Sequence, residues 1–260
     1  MPARIIWRWI TSAILGLALF GLPAPALAQS PQVIEPDATR YMALGDSIAA
    51  GYKLAPITEG YAYLLYQDGV FDRMPHTLFN NLAAVGATSG DVLGHQVPQA
   101  LIPFAIGGFR AKYITLTVGG NDILSILRYA AAHPGDPTVP VFAQATLTQY
   151  SQNLAAILGQ LRAGLPGVKI FVGNQYSIPD LETVAPGTEQ IITTFNAATR
   201  QIVASFAGTA YLVDVYGAFL GRRNLLWLER PGASIFEVHP TSVGHRVMEK
   251  AFSDVIDLYK

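Results

Sequence analysis

Gly45-Asp46-Ser47 runs directly into Ile48-Ala49-Ala50-Gly51-Tyr52. A serine flanked by small residues at the opening of a helix or loop has an exposed hydroxyl, and the backbone N–H groups around it face incoming negative charge. That hydroxyl is a weak nucleophile and needs a base; the plainer alternative for Ser47 is a helix N-cap. A base stands near the C-terminus in Glu237-Val238-His239-Pro240-Thr241-Ser242-Val243-Gly244-His245. Pro240 biases His239 to an extended backbone and marks it as the last residue before a helix, so its imidazole sits on a loop where it can meet a hydroxyl. The other histidines read more simply. His76 and His133 lie beside turn-forming prolines, His95 on a polar helix face, and His245 caps or packs the last helix.

Two further segments carry neutral donors. Asn81 to Asp91 contains Gly86, and Gly119-Gly120-Asn121-Asp122 follows another apolar run. A glycine at a strand terminus lets a backbone N–H approach a substrate closely, and a side-chain amide on a neighbouring loop supplies a second donor. With the Ser47 amide, Gly86 and Asn121 would make an oxyanion hole for a tetrahedral intermediate. The alternatives are an ordinary turn at Gly86 and a helix cap at Asn121 with Asp122 in the first turn.

The elements that must position these residues alternate. Short β-branched apolar runs at Arg40 to Leu44, Thr77 to Ala83, Tyr113 to Val118, Lys169 to Val172 and Ala210 to Val215 read as strands. Helix-periodic stretches lie at about Tyr61 to Asp68, Asp91 to Ile106, Phe142 to Ala163, Gln190 to Phe206 and Val243 to Leu258. The alternation predicts one three-layer α/β/α domain around a parallel sheet, because each parallel crossover needs a dozen or more residues. Ligands in such sheets bind beyond the carboxyl ends of the strands, which is where the chemistry-bearing segments fall. The loops expected to shape the pocket are about Tyr129 to Pro140, Tyr176 to Gly187 and Gly221 to Ile235, the last containing Trp227.

Upstream of all this, Arg4 and Arg8 precede an apolar run from Ile10 to Leu22 and then Ala26-Leu27-Ala28, the pattern of a signal peptide cleaved after Ala28. An uncleaved anchor is the alternative; the run is barely long enough to span, and Pro23 and Pro25 end it early. The expected organisation is a signal peptide over 1–28, a tail over 29–37 and the catalytic domain over 38–260, secreted or periplasmic and with no stable membrane span once cleaved. Cleavage removes Trp7 and Trp9, leaving Trp227 as the sole tryptophan, and removes two basic residues, leaving 15 Lys+Arg against 18 Asp+Glu, a net charge of −3. That balance argues against nucleic-acid binding. With no cysteine the fold has no disulfide and is held by its core.

Taken together, Gly45-Asp46-Ser47, Gly86, Gly119-Gly120-Asn121-Asp122 and His239-Pro240 occur in the order and near the separations of the SGNH or GDSL hydrolase superfamily, which the chain resembles over essentially its whole mature length. The resemblance implies a flavodoxin-like five-stranded parallel sheet and no metal or organic cofactor. It implies Ser47 as nucleophile, His239 as general base, and the Ser47 amide, Gly86 amide and Asn121 side chain as oxyanion donors. It implies a small-molecule or lipid ester as substrate, with esterase, lipase or phospholipase, thioesterase and carbohydrate-deacetylase activities all in range.

One position departs from the family pattern: the aspartate usual three residues before the catalytic histidine is here Phe236, and the nearest acid is Glu237. Two residues apart on an extended chain, Glu237 and His239 point to the same side, so either Glu237 orients the imidazole or a backbone carbonyl does. A metallophosphoesterase would need several His and Asp ligands after successive strands, which Gly45-Asp46-Ser47 does not supply. An inactive carbohydrate-binding relative is the non-enzyme alternative. None of the three loops expected to shape the pocket reads as an amphipathic lid, and short to medium acyl esters are the expected substrates.

Overall fold

The computed structural model describes residues 40–68, 70, 71, 78–102, 110–226 and 238–259. The expected signal peptide and tail, and with them Trp227 and Glu237, lie outside the described residues.

Five strands, β1 (Arg40–Gly45), β2 (Leu78–Asn81), β3 (Ala111–Thr117), β4 (Lys169–Gly173) and β5 (Ala210–Val213), form one sheet in the order β2-β1-β3-β4-β5. Every pairing is parallel. This is the flavodoxin-like order, in which the direction of winding reverses between β1 and β3 and leaves a crevice beyond their carboxyl ends. All six residues of β1 are buried, as expected of a central strand covered on both faces, whose apolar run is continuous rather than alternating.

Side-chain alternation sends Tyr41 and Ala43 to one face of the sheet and Met42 and Leu44 to the other. Tyr41 and Ala43 join Tyr61 and Leu65 of α2 (Tyr61–Gln67) and Met248, Phe252 and Ile256 of α10 (Ser242–Tyr259) in one core cluster. A second layer of helices comprises α3 (Ser89–Asp91), α4 (Val97–Leu101), α5 (Gly120–Ala132), α6 (Val139–Gly164) and α8 (Thr188–Ser205), in which α6 packs against each of the other four. Short α1 (Ser47–Ala50), α7 (Pro179–Val184) and α9 (Val215–Phe219) follow β1, β4 and β5. Among the described residues no helix is long and apolar enough to cross a membrane.

The sequence reading differs from the fold in local ways with identifiable causes. Strand β5 stops at Val213 because the Asp214 side chain accepts from Gly217 N (3.1 Å) and opens α9. The helix expected from Asp91 starts two residues earlier, where Thr88 and Asp91 form a reciprocal capping box. It is interrupted by a π-turn over Val92–Gln96. Helix α5 is absent from the helix-periodic stretches of the sequence, although a cap at Asn121 is one reading there; its apolar set, Ile123, Leu124, Ile126 and Leu127, begins immediately behind a glycine pair. In consequence, Tyr129 to Pro140 is not a pocket loop: residues 129–132 end α5 and Val139 begins α6, with Tyr129 stacked on Phe142 at 4.3 Å.

Candidate active site

The carboxyl end of β1 can turn where it does only because residue 45 is glycine. Gly45 has φ +135°, and a Cβ there would lie 2.0 Å from Thr117 O. Asp46 then N-caps α1, its Oδ1 accepting from Ile48 N at 3.0 Å and from Thr117 Oγ1 at 3.3 Å. The result is Ser47 as the first residue of α1, 8% exposed, at the crevice between β1 and β3. Ser47 is thus beside a helix cap, and the capping residue is its neighbour Asp46.

His239 arrives from the far end of the chain, and its Nε2 lies 2.9 Å from Ser47 Oγ. Its segment is tied on several sides. Tyr176 OH, just past β4, donates to Val238 O at 2.7 Å; Pro240 forms an isolated bridge with Leu226; Thr241 N donates to Leu225 O at 2.8 Å. Gly244 permits this approach, since a Cβ there would stand 2.2 Å from Leu225 O. The Tyr52 ring meets the imidazole edge-on at 4.9 Å.

Gly86 and Asn121 are brought to the same place and to each other. Gly86 sits at φ +82° in a turn, while Asn121 Nδ2 donates to Ala87 O at 2.9 Å. Next to it, the Asp122 carboxylate accepts from Ser89 Oγ (2.6 Å) and Ser89 N (3.0 Å), and Asn153 Nδ2 donates to Ser89 Oγ at 2.9 Å. Side-chain hydrogen bonds thus tie the segments after β2 and β3 to each other. An amide NH2 has two donors, so the bond to Ala87 leaves Asn121 one N–H for a ligand.

Burial raises two carboxyls here. Asp46 is pushed up to about 7 by desolvation, against the Ile48 and Thr117 hydrogen bonds that favour its charged form. Asp122 is also raised by desolvation, opposed by the Ser89 bonds. Among the described residues no group of three His, Asp or Glu side chains is gathered to hold a metal ion.

Ser47, Gly86, Asn121 and His239 line one cleft of about 200 Å³. Its apolar walls come from Ile48, from Ile123, Leu124 and Leu127 of α5, and from Tyr176, Ile178 and Leu181 in the region after β4. Of the three loops expected to shape it, the Tyr176 to Gly187 segment does so, the Tyr129 to Pro140 segment does not line it, and most of Gly221 to Ile235 lies outside the described residues. Sequence reading missed the α5 wall, although the period of Ile123, Leu124 and Leu127 carried the signal. It also missed Gln175, whose Nε2 donates to Val118 O at 2.7 Å while its own backbone N and O are held by the Asn196 side chain at 2.7 and 2.8 Å. Nothing in the local pattern around Gln175 or Asn196 announces that pairing.

A hydroxyl 2.9 Å from an imidazole, with a glycine amide and a carboxamide on the same cleft, can attack a carbonyl carbon and stabilise the oxyanion that results. The family model of the GDSL-like lipase/acylhydrolase family matches residues 43–247, a span that begins in β1 and ends in α10. Among solved structures, the chain is similar to a lipase from a goat rumen metagenome (21% identity, TM-score 0.65, covering 84% of this chain and 97% of that one). It is similar to phospholipase A1 from Streptomyces albidoflavus NA297 (17%, TM-score 0.62, 85% and 99%). It is similar also to the acetylxylan esterase Axe2 from Geobacillus stearothermophilus (17%, TM-score 0.59, 84% and 94%). No protein of curated function matches the sequence.

Proposed function

Because the chain belongs to the GDSL-like lipase/acylhydrolase family, we propose that it hydrolyses carboxylic esters with Ser47 as nucleophile and His239 as general base. The observation that carries this reading is the 2.9 Å approach of His239 Nε2 to Ser47 Oγ at the mouth of an apolar cleft. His239 takes the hydroxyl proton as Ser47 Oγ attacks the ester carbonyl carbon. The carbonyl oxygen becomes an oxyanion held by the Ser47 and Gly86 amides and the Asn121 side chain. Collapse expels the alcohol, which takes the proton from His239, and leaves an acyl-Ser47 ester. Water, deprotonated by His239, then attacks the acyl carbon and releases the acid and free Ser47. Glu237 is our candidate for the acid that orients the imidazole.

A cleft of about 200 Å³ with Leu, Ile and Tyr walls lies below the usual range of small-molecule sites and favours acyl groups of short to medium length. The names of the similar structures keep phospholipid and acetylated xylan in view as rival substrates. We further propose that residues 1–28 direct export and are removed, so that the working enzyme starts at Gln29.

The test is direct. A fluorophosphonate should label Ser47, and Ser47→Ala and His239→Ala should each lose about three or more powers of ten in turnover with folding retained. Glu237→Gln should lose about a hundredfold to ten-thousandfold if it is the third member. A series of p-nitrophenyl esters, run beside phospholipid vesicles and acetylated xylan, should peak at short or medium acyl chains. A Ser47→Ala protein of parental activity would overturn the assignment.

A further inference from the structure

Strand β1, which delivers Ser47, outruns its neighbour. The register pairs Arg40 through Ala43 with Leu78 through Asn81, leaving Leu44 and Gly45 without a partner in β2. In a parallel ladder a residue sends its N–H and C=O to the same side. Ala43 O accepts from Leu82 N at 2.9 Å and Gly45 O from Ala84 N at 3.1 Å, so the Gly45 peptide groups face the side that β2 has left.

A side chain continues the ladder there. Gln96 Oε1 accepts from Gly45 N at 2.7 Å, and Gln96 Nε2 donates to Gly45 O at 2.8 Å. Gln96 is 4% exposed and is the last residue of the π-turn, 51 positions along the chain. The inserted residue of a π-turn rotates the helix beyond it by most of a third of a turn, and such turns gather at functional sites. On its opposite side Gly45 is pressed against Thr117, where no Cβ fits.

We propose that Gln96 is a positioning residue for the nucleophile. By gripping both polar atoms of Gly45, two residues before Ser47, it fixes the peptide planes on which the Asp46 cap and the Ser47 hydroxyl are built. Without it a buried N–H loses its acceptor, and Ser47 drifts from the imidazole and the oxyanion donors together. Displacements of about an ångström at a reacting atom cost on the order of a hundredfold in rate. The inference rests on Ser47 being the nucleophile.

Gln96→Met keeps length and volume while removing both hydrogen bonds. Turnover per active site, titrated with a fluorophosphonate and measured well below the unfolding temperature, should fall about tenfold to a hundredfold, with KM within a factor of about two. A role confined to stability would lower the unfolding temperature and leave turnover per titrated site unchanged. That result, or a change in KM alone, overturns the proposal. A second measurement needs no variant: in the unmodified protein the Gly45 amide should exchange its hydrogen as slowly as the Ala43 amide, and exchange at the rate of an exposed loop amide overturns the proposal equally. If Ser47→Ala keeps parental activity, the nucleophile assignment fails and this inference with it. If activity depends on Ser47 but not on Gln96, this inference fails alone.

Discussion

Asp46 shows how a single residue serves two masters. Its carboxylate caps α1 and so sets Ser47, yet it is 3% exposed and its folded carboxyl is raised from 3.8 to about 7. A carboxyl raised on folding holds its proton in the native state after the unfolded chain has lost it, so stability is greatest below about pH 4 on this account and declines as pH rises through about 7. The three-unit difference corresponds to a few kcal/mol at most, on the order of 4. Asp46→Asn keeps an Oδ1 acceptor for Ile48 N and Thr117 Oγ1 and removes the titration. Urea unfolding at pH 4.5 and pH 8 should therefore show a smaller loss between the two for the variant than for the parent. An equal loss in both would mean that Asp46 is not desolvated as the fold implies.

At the scale of elements, α10 does more than cover the sheet. Its His245 is fully buried, stacks on Tyr61, and accepts from Tyr61 N at 3.2 Å. Helix α2 opens after Gly60, which has no side chain to cap it, so an imidazole from 184 residues downstream supplies the missing acceptor. To accept through Nδ1 the ring must be neutral, and burial lowers its pKa from 6.5 to about 3, with His239 adding to the effect. A basic group depressed on folding favours the unfolded chain once that chain binds a proton. Stability from this residue is therefore present above about pH 6.5 and is lost as pH falls toward 3. His245→Leu should cost about 1 kcal/mol at pH 7 through the lost cap and should flatten the dependence of the unfolding temperature between pH 6.5 and 4. A variant with the parental slope would locate that dependence elsewhere.

For the whole molecule, the sheet order sets where chemistry is possible. The reversal between β1 and β3 opens the crevice, and just past the ends of these two strands come Ser47 and Gly119-Gly120-Asn121. Every group the proposed reaction uses belongs to the chain itself, so an excess of EDTA should leave ester turnover unchanged. Loss of activity that added metal restores would require a different mechanism. The proposed cleavage has its own test: the intact mass of the protein recovered from a secreting host should correspond to a chain that begins at Gln29.

The sequence by itself determined the layer architecture, because strands of four to seven residues alternating with helical stretches can bury their apolar faces in few ways. It also offered Ser47, Gly86, Asn121 and His239 as candidates, because each is a chemically capable residue placed just past a strand or just before a helix; each alone had a plainer reading, and it was their order together, through the resemblance to the SGNH or GDSL hydrolases, that joined them into one site. It could not reach Gln96, Gln175, Asn196 or Tyr176, which hold those residues in place through single side chains meeting backbone far away in the chain. The period of Ile123, Leu124 and Leu127 could have announced α5 as a helix, but that these side chains line the cleft is shown only by the packing of α5 in its layer. Long-range hydrogen bonds between a side chain and a distant peptide leave no period and no spacing in the sequence; the tertiary structure alone decides them, because they exist only once the strands that carry their partners have been brought side by side.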